Sequence, residues 1–199
     1  MIQVRLMNQP IPDLAAFDAK SKWVNVIVEN SKGSHFKYVY TKETGLFRIN
    51  RVLPRGMVFP FNFGFIPSTL GADGDPMDIL IVNDEPVVAG CLLKARLLGV
   101  VKARQTENGK TMRNDRLVGA IADEESPPEF LFAAFDQGQL AQIEFFFATY
   151  NRVSGKSFKV LGAGNARQAQ QIVQQGIKRF RQSRTDEWYQ GEAKSKPLP

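Results

Sequence analysis

The sequence predicts an α+β domain whose strands curl into a closed or nearly closed barrel, with helices packed outside it. Two observations carry this. Up to Ala122 the chain is a series of short β-branched and aromatic runs punctuated by turn residues, and after Pro127 the apolar residues switch to helical spacing. Strands first and helices later is the order of an α+β fold, and many short strands in one domain favour a barrel. At 199 residues the chain has ample length for a single core.

Residues 1–22 read as an N-terminal arm, with weak periodicity and prolines at 10 and 12. Residues 23–182 read as one domain and 183–199 as a polar tail. Trp23–Glu29 is apolar and β-branched, a strand, followed by a turn over Asn30–Ser34. Phe36–Tyr40 and Leu46–Leu53 form a hairpin about Lys42-Glu43-Thr44-Gly45. Phe59–Ile66 is an aromatic strand interrupted by Asn62 and Gly64. Ile79–Val82 and Leu92–Val101 are apolar enough for central strands. Asn108-Gly109 is a strong turn signal, and Leu117–Ala122 is a further strand. A short helix over Phe130–Phe135 is expected, then a helix over Gln137–Tyr150 with Leu140, Ile143, Phe146 and Phe147 on one face. Lys156–Leu161 is a last strand, and Asn165–Arg181 a C-terminal helix with Ala169, Ile172, Val173 and Ile177 in one stripe.

Composition narrows the class. The hydrophobic fraction is 43%, ordinary for a globular chain. No apolar run approaches about 20 residues, so no membrane partner is expected. The single Cys91 cannot form an internal disulfide and is expected to be a buried thiol, which favours a cytoplasmic location. The net charge of +6 suits an anionic ligand without demanding one.

The chemistry concentrates at Asp73-Gly74-Asp75-Pro76-Met77-Asp78. Three carboxylates in six residues repel one another unless a cation sits among them. Glycine permits a sharp bend and proline fixes φ, so the acids can share one rim. With no Cys or His in the segment, oxygen ligands point to a hard divalent ion, Mg²⁺ or Mn²⁺, and not to zinc. The plain alternative is a solvated turn, for which Asp, Gly and Pro are common residues.

Context separates these readings. Glu29, Lys32-Gly33-Ser34, Lys37-Tyr38, Lys42-Glu43-Thr44-Gly45, Arg51 and the block Phe61–Asp78 together resemble the soluble inorganic pyrophosphatases of the β-barrel family, from about Trp23 to about Gly162. The resemblance implies a twisted five-stranded OB-like barrel and metal-dependent hydrolysis of pyrophosphate to two phosphates. It implies Asp73, Asp78 and Glu29 at the metals and Asp75 as general base for the attacking water. Lys37, Arg51 and Tyr150 match phosphate-binding residues. A homo-oligomer is also implied.

The chain departs from that pattern near the same site. Val39 stands where the family has Glu, and Phe59 and Phe63 stand where it has Tyr. Asn114 falls at a metal-binding Asp, Arg116 at a Lys, which places it among the expected substrate-binding cations, and Asn151 at a Lys after Tyr150. Glu107 is the nearest candidate for an earlier Asp of the same loop, and Asp115 is an alternative to Asn114. The altered residues leave open cleavage of another small phosphoanhydride. An OB-like barrel with an aromatic strand also raises single-stranded nucleic-acid binding, but the acidic triad would repel a phosphate backbone, so nucleic acid is not expected. A catalytically dead scaffold is the remaining alternative.

Overall fold

A ring of five strands organises the molecule, seen in a computed structural model that describes residues 14–41, 44–122 and 137–194. The ring members are β1 (Val24–Asn30), β4 (Asn62–Ile66), β5 (Met77–Ile81), β8 (Arg116–Ile121) and β6 (Leu92–Glu107). They pair in the order β1-β4-β5-β8-β6, and β6 pairs back onto β1 through Val24↔Ala95 to Ile27↔Leu92. Closure is therefore complete, as an OB-like barrel requires. Only β5–β8 is parallel.

Closure depends on the length of β6. Its 16 residues pair with β1 at one end, with β8 along the middle, and with β7 (Lys110–Arg113) and β9 (Ser157–Asn165) at the other. The apolar run in the sequence ends at Val101, but the strand continues to Glu107 because β7 and β9 both hydrogen-bond to its polar half. Asn108 and Gly109 turn it into β7 with φ of +50° and +75°. The hairpin of β2 (Phe36–Thr41) and β3 (Leu46–Val52) is a separate two-stranded sheet. It is tied to the barrel where the Tyr38 amide donates to Asn30 Oδ1 at 2.6 Å.

Period-2 alternation divides the apolar residues between the two faces of each strand. Leu80, Val101 and Val118 join one cluster, completed by Ile143, Phe146 and Phe147 of α1 (Gln137–Val153). Ile79, Ile81, Val100 and Leu117 join the other, completed by Ala169 and Val173 of α2 (Ala166–Lys194). The first turn of α2 is a capping box: the Gln168 amide donates to Asn165 Oδ1 at 3.1 Å and the Asn165 amide to Gln168 Oε1 at 3.2 Å.

Several boundaries differ from expectation. The aromatic strand begins at Asn62 and not Phe59, because Pro60 has no amide hydrogen and the Phe59 amide is taken by Ser34 O at 3.1 Å. Asn62 is buried with all its polar atoms used. Its Oδ1 accepts from the amides of Lys32 and Val87, and its Nδ2 donates to Asn83 Oδ1 and Glu85 O. β9 runs on to Asn165, and α2 runs to Lys194, past the start of the expected polar tail at Ser183. Cys91 is exposed, not buried, because it lies in the turn entering β6. His35 is on the surface. The expected helix over 130–135, residues 1–13 of the arm, Lys42-Glu43 and residues 195–199 lie outside the described residues.

Candidate active site

Each acidic residue reaches the site through a specific local device. The β1–β4 register passes from Val28↔Gly64 to Asn30↔Phe63, which leaves Glu29 as the extra residue of a β-bulge. A bulge re-aims a side chain that the pleat would otherwise direct elsewhere. Gly64 allows β1 this close, since a Cβ there would lie 2.2 Å from Ile27 O. Asp73 and Asp75 sit in a loop closed by Gly71 N to Asp75 O at 2.7 Å, with Gly74 at φ +89°. The Asp75 amide donates to Asp73 Oδ1 at 3.3 Å. Asp78 projects from β5 on the same face as Leu80, toward α1.

The cations arrive from the opposite side. Lys37 and Arg51 are directly opposed on β2 and β3, beside a register shift that leaves Asn50 unpaired. Like charges directly opposite on neighbouring strands are destabilising, so this pairing favours an anionic ligand. Both lie over the Tyr150 ring, at 5.5 and 5.8 Å from its centroid. Arg51 Nη1 also donates to Ser154 Oγ.

These groups line one cavity of about 470 Å³. Glu29, Lys37, Arg51, Asp73, Asp75, Asp78, Asn114, Arg116 and Tyr150, all named from the sequence, are among its lining residues. So are the departures Val39, Phe59, Phe63 and Asn151. The two phenylalanines are buried and pack with Phe146, Phe147 and Tyr150, so the lost phenols are replaced by ring contacts. Asp115 does not line this cavity, its Oδ1 accepting from the Ala103 amide at 2.9 Å and from Arg113 Nε. With Asp73, Asp78 and Asn114 it lines a smaller adjoining cavity of about 120 Å³, so Asn114 borders both and Asp115 only the second.

Sequence reasoning missed Lys156. Asn151 is 3% exposed and donates to Phe147 O at 2.8 Å, so its amide secures the end of α1 and brings no charge to the cavity wall it forms part of. Lys156, five residues on, lines the cavity and pairs with Glu107 at 2.7 Å. The available signal was the Gly155-Lys156 turn immediately after the helix, which returns a cation to the rim that Asn151 vacates.

The electrostatics match the layout. Burial and the neighbouring Asp78 charge push the Glu29 carboxyl up to about 7. Burial followed by Asp73 raises Asp75. Burial raises Asp78 too, against the opposing pull of Arg116. Carboxylates crowded and desolvated in this way are relieved by a bound cation, and an all-oxygen donor set fits a hard divalent one. Among the described residues no three acidic, His or Cys side chains already converge as a finished cage. Such a site suits an ion that keeps some of its waters or takes ligands from a phosphate substrate.

Comparison with known proteins gives the same reading. A family model described as inorganic pyrophosphatase matches residues 26–181. The chain belongs to the inorganic pyrophosphatase family. It is 38% identical over 140 residues to a soluble inorganic pyrophosphatase of Solanum tuberosum, covering 68% of this chain and 63% of that protein. It is 32% identical over 176 residues to soluble inorganic pyrophosphatase 2 of Chlamydomonas reinhardtii, covering 88% and 90% respectively. The crystal structure of the Thermus thermophilus inorganic pyrophosphatase superposes with a TM-score of 0.77 at 28% identity, covering 87% of this chain and 99% of that one. Pyrophosphatases of this family depend on metal ions, in keeping with the donor set described above.

Proposed function

We propose that this chain hydrolyses inorganic pyrophosphate to two phosphates with Mg²⁺, and that Mn²⁺ can replace it. The observation that carries the reading is the opposition of acids and cations across one cavity: Glu29, Asp73, Asp75 and Asp78 on one side, Lys37 and Arg51 on the other. Asp73, Asp78 and Glu29 would hold the ion, with Asn114 as a neutral oxygen donor beside them. Bound there, a divalent ion supplies charge for the phosphoryl oxygens and makes water more acidic.

The remaining chemistry belongs to side chains. Asp75 is the general base: it stands at the rim of the carboxylate cluster and takes the proton of the attacking water. Its raised affinity for that proton, caused by burial and by Asp73, favours the transfer. Lys37, Arg51 and Tyr150 hold the phosphate oxygens, Arg51 through its fork and Lys37 as a point charge. Lys156 is a further cation on the rim facing Asp75, whose charge it stabilises. Arg116, expected among the phosphate-binding cations, pairs with Asp78 here. The catalytic unit is residues 23–182, acting in the cytoplasm as a homo-oligomer.

Phosphate release from pyrophosphate, tripolyphosphate and ATP, each with Mg²⁺, tests the substrate. Preference for pyrophosphate is expected. Faster cleavage of ATP or tripolyphosphate would assign the cavity to a different phosphoanhydride.

A further inference from the structure

Arg116 is unusual for a cation in a phosphate site. It is 6% exposed, and its guanidinium lies 5.0 Å from the Phe147 ring centroid and 5.9 Å from those of Phe63 and Phe158. Its Nη1 donates to Asp78 Oδ2 and to Asn114 Oδ1, and at 3.4 Å to Asp115 O. A guanidinium keeps its charge at any pH the fold tolerates. This group is therefore a permanent cation fixed between the two side chains that face the metal region from β5 and from the turn before β8.

Asp78 carries one negative charge, Asn114 none and Arg116 one positive, so the trio is neutral without any ion. An Asp at position 114 would leave the trio with one net negative charge whether 116 is Arg or Lys, so the place the cation keeps decides whether an ion can enter. A Lys at 116 would be a compact charge on a flexible stem, free to swing toward a phosphate, whereas the planar guanidinium fits among three rings and stays. The same arrangement recurs on the rim, where Glu107 is neutralised by Lys156 at 2.7 Å. Asp73, Asp75 and Glu29 form no ion pair among the described residues.

We propose that Arg116 is a built-in substitute for one divalent cation, so that this chain loads one ion fewer at Asp78 than a site with Asp at 114 and Lys at 116 would. The inference rests on the metal-dependent reading above. It makes Phe63, Asn114 and Arg116 one co-adapted set: ring, neutral acceptor and fixed cation.

Mn²⁺ binding followed by the electron-spin resonance signal of the free ion tests it on the full chain, independently of activity. Asn114→Asp/Arg116→Lys is expected to bind one more Mn²⁺ per chain than the wild type. Asn114→Asp alone, which keeps the guanidinium, is expected to gain none. Equal, non-zero stoichiometry in the wild type and the double variant overturns the inference alone. Absence of Mn²⁺ from both overturns it together with the metal-dependent reading. A measurement on the wild type needs no variant to fold: the Arg116 Nε–H is buried with no hydrogen-bond partner among the described residues, and its resonance is expected to stay shielded from solvent at saturating Mg²⁺. Its loss on adding Mg²⁺ would show the guanidinium leaving its ring-lined place beside Asp78 and would overturn the proposal.

Discussion

Lys37 and Arg51 oppose each other across β2 and β3 with no carboxylate paired to either among the described ion pairs. Such an arrangement trades stability for anion binding. Lys37→Met is therefore expected to raise the KM for pyrophosphate with stability changed by no more than about 1 kcal/mol, because relief from Arg51 is offset by lost attraction to Glu29, Asp75 and Asp78. Kinetics and thermal melts of the same preparation check both halves, and lower stability with unchanged KM would contradict this role. Glu29 sets a pH dependence. Unfolded it titrates near 4.5, and folded without metal near 7. The folded chain holds that proton more tightly, so its metal-free stability is greatest at low pH within this range and falls as pH rises through about 7. Asp75 and Asp78 shift in the same direction. Denaturant melts of EDTA-treated protein across that window check the sign, and stability rising with pH would refute it.

Two asparagines hold the elements around the site, and their roles were only partly visible in the sequence. Asn62 stood out as a polar interruption of an aromatic run, but nothing local says that it fastens the Lys32 and Val87 amides. Asn62→Ala is expected to cost about 1–3 kcal/mol, because buried donors lose their acceptor. Calorimetry measures this, and a loss within error would mean that water replaces the side chain. Element types were legible where the apolar pattern was strong, as in the helix carrying Ile143, Phe146 and Phe147 and the continuous run Ile79–Ile81 of β5. Boundaries were not legible where hydrogen bonding overrides composition: β6 runs into polar Arg104–Glu107 because two partners hold it there. The Glu29 bulge also depends on register, which a single strand does not encode.

At the scale of the molecule, ring closure through β1–β6 joins segments nearly seventy residues apart in sequence. Alternating apolar residues cannot announce such a pairing, so the strand pattern left closed and nearly closed barrels open, and the five-stranded ring was expected only from the family resemblance. Nine candidate residues could be named together because that resemblance assigns chemistry to spacing, and one cavity does collect them. Lys156 was not legible, since its place at the rim comes from how α1 ends and β9 begins. Among the described residues no helix is long and apolar enough to cross a membrane. A divalent ion that binds the folded chain and not the unfolded one stabilises the whole molecule by mass action. Mg²⁺ is thus expected to raise the melting temperature and EDTA to lower it, and a melting temperature indifferent to both would count against a metal centre in this cavity.

The most direct test is phosphate release from pyrophosphate during a Mg²⁺ titration, with Asp75→Asn measured alongside. The expected result is release that rises with Mg²⁺ and falls about 10²–10⁴-fold in the variant, the range of a lost general base, while Mg²⁺ still raises the variant's melting temperature. Release that ignores Mg²⁺, or that Asp75→Asn leaves intact, would contradict the account.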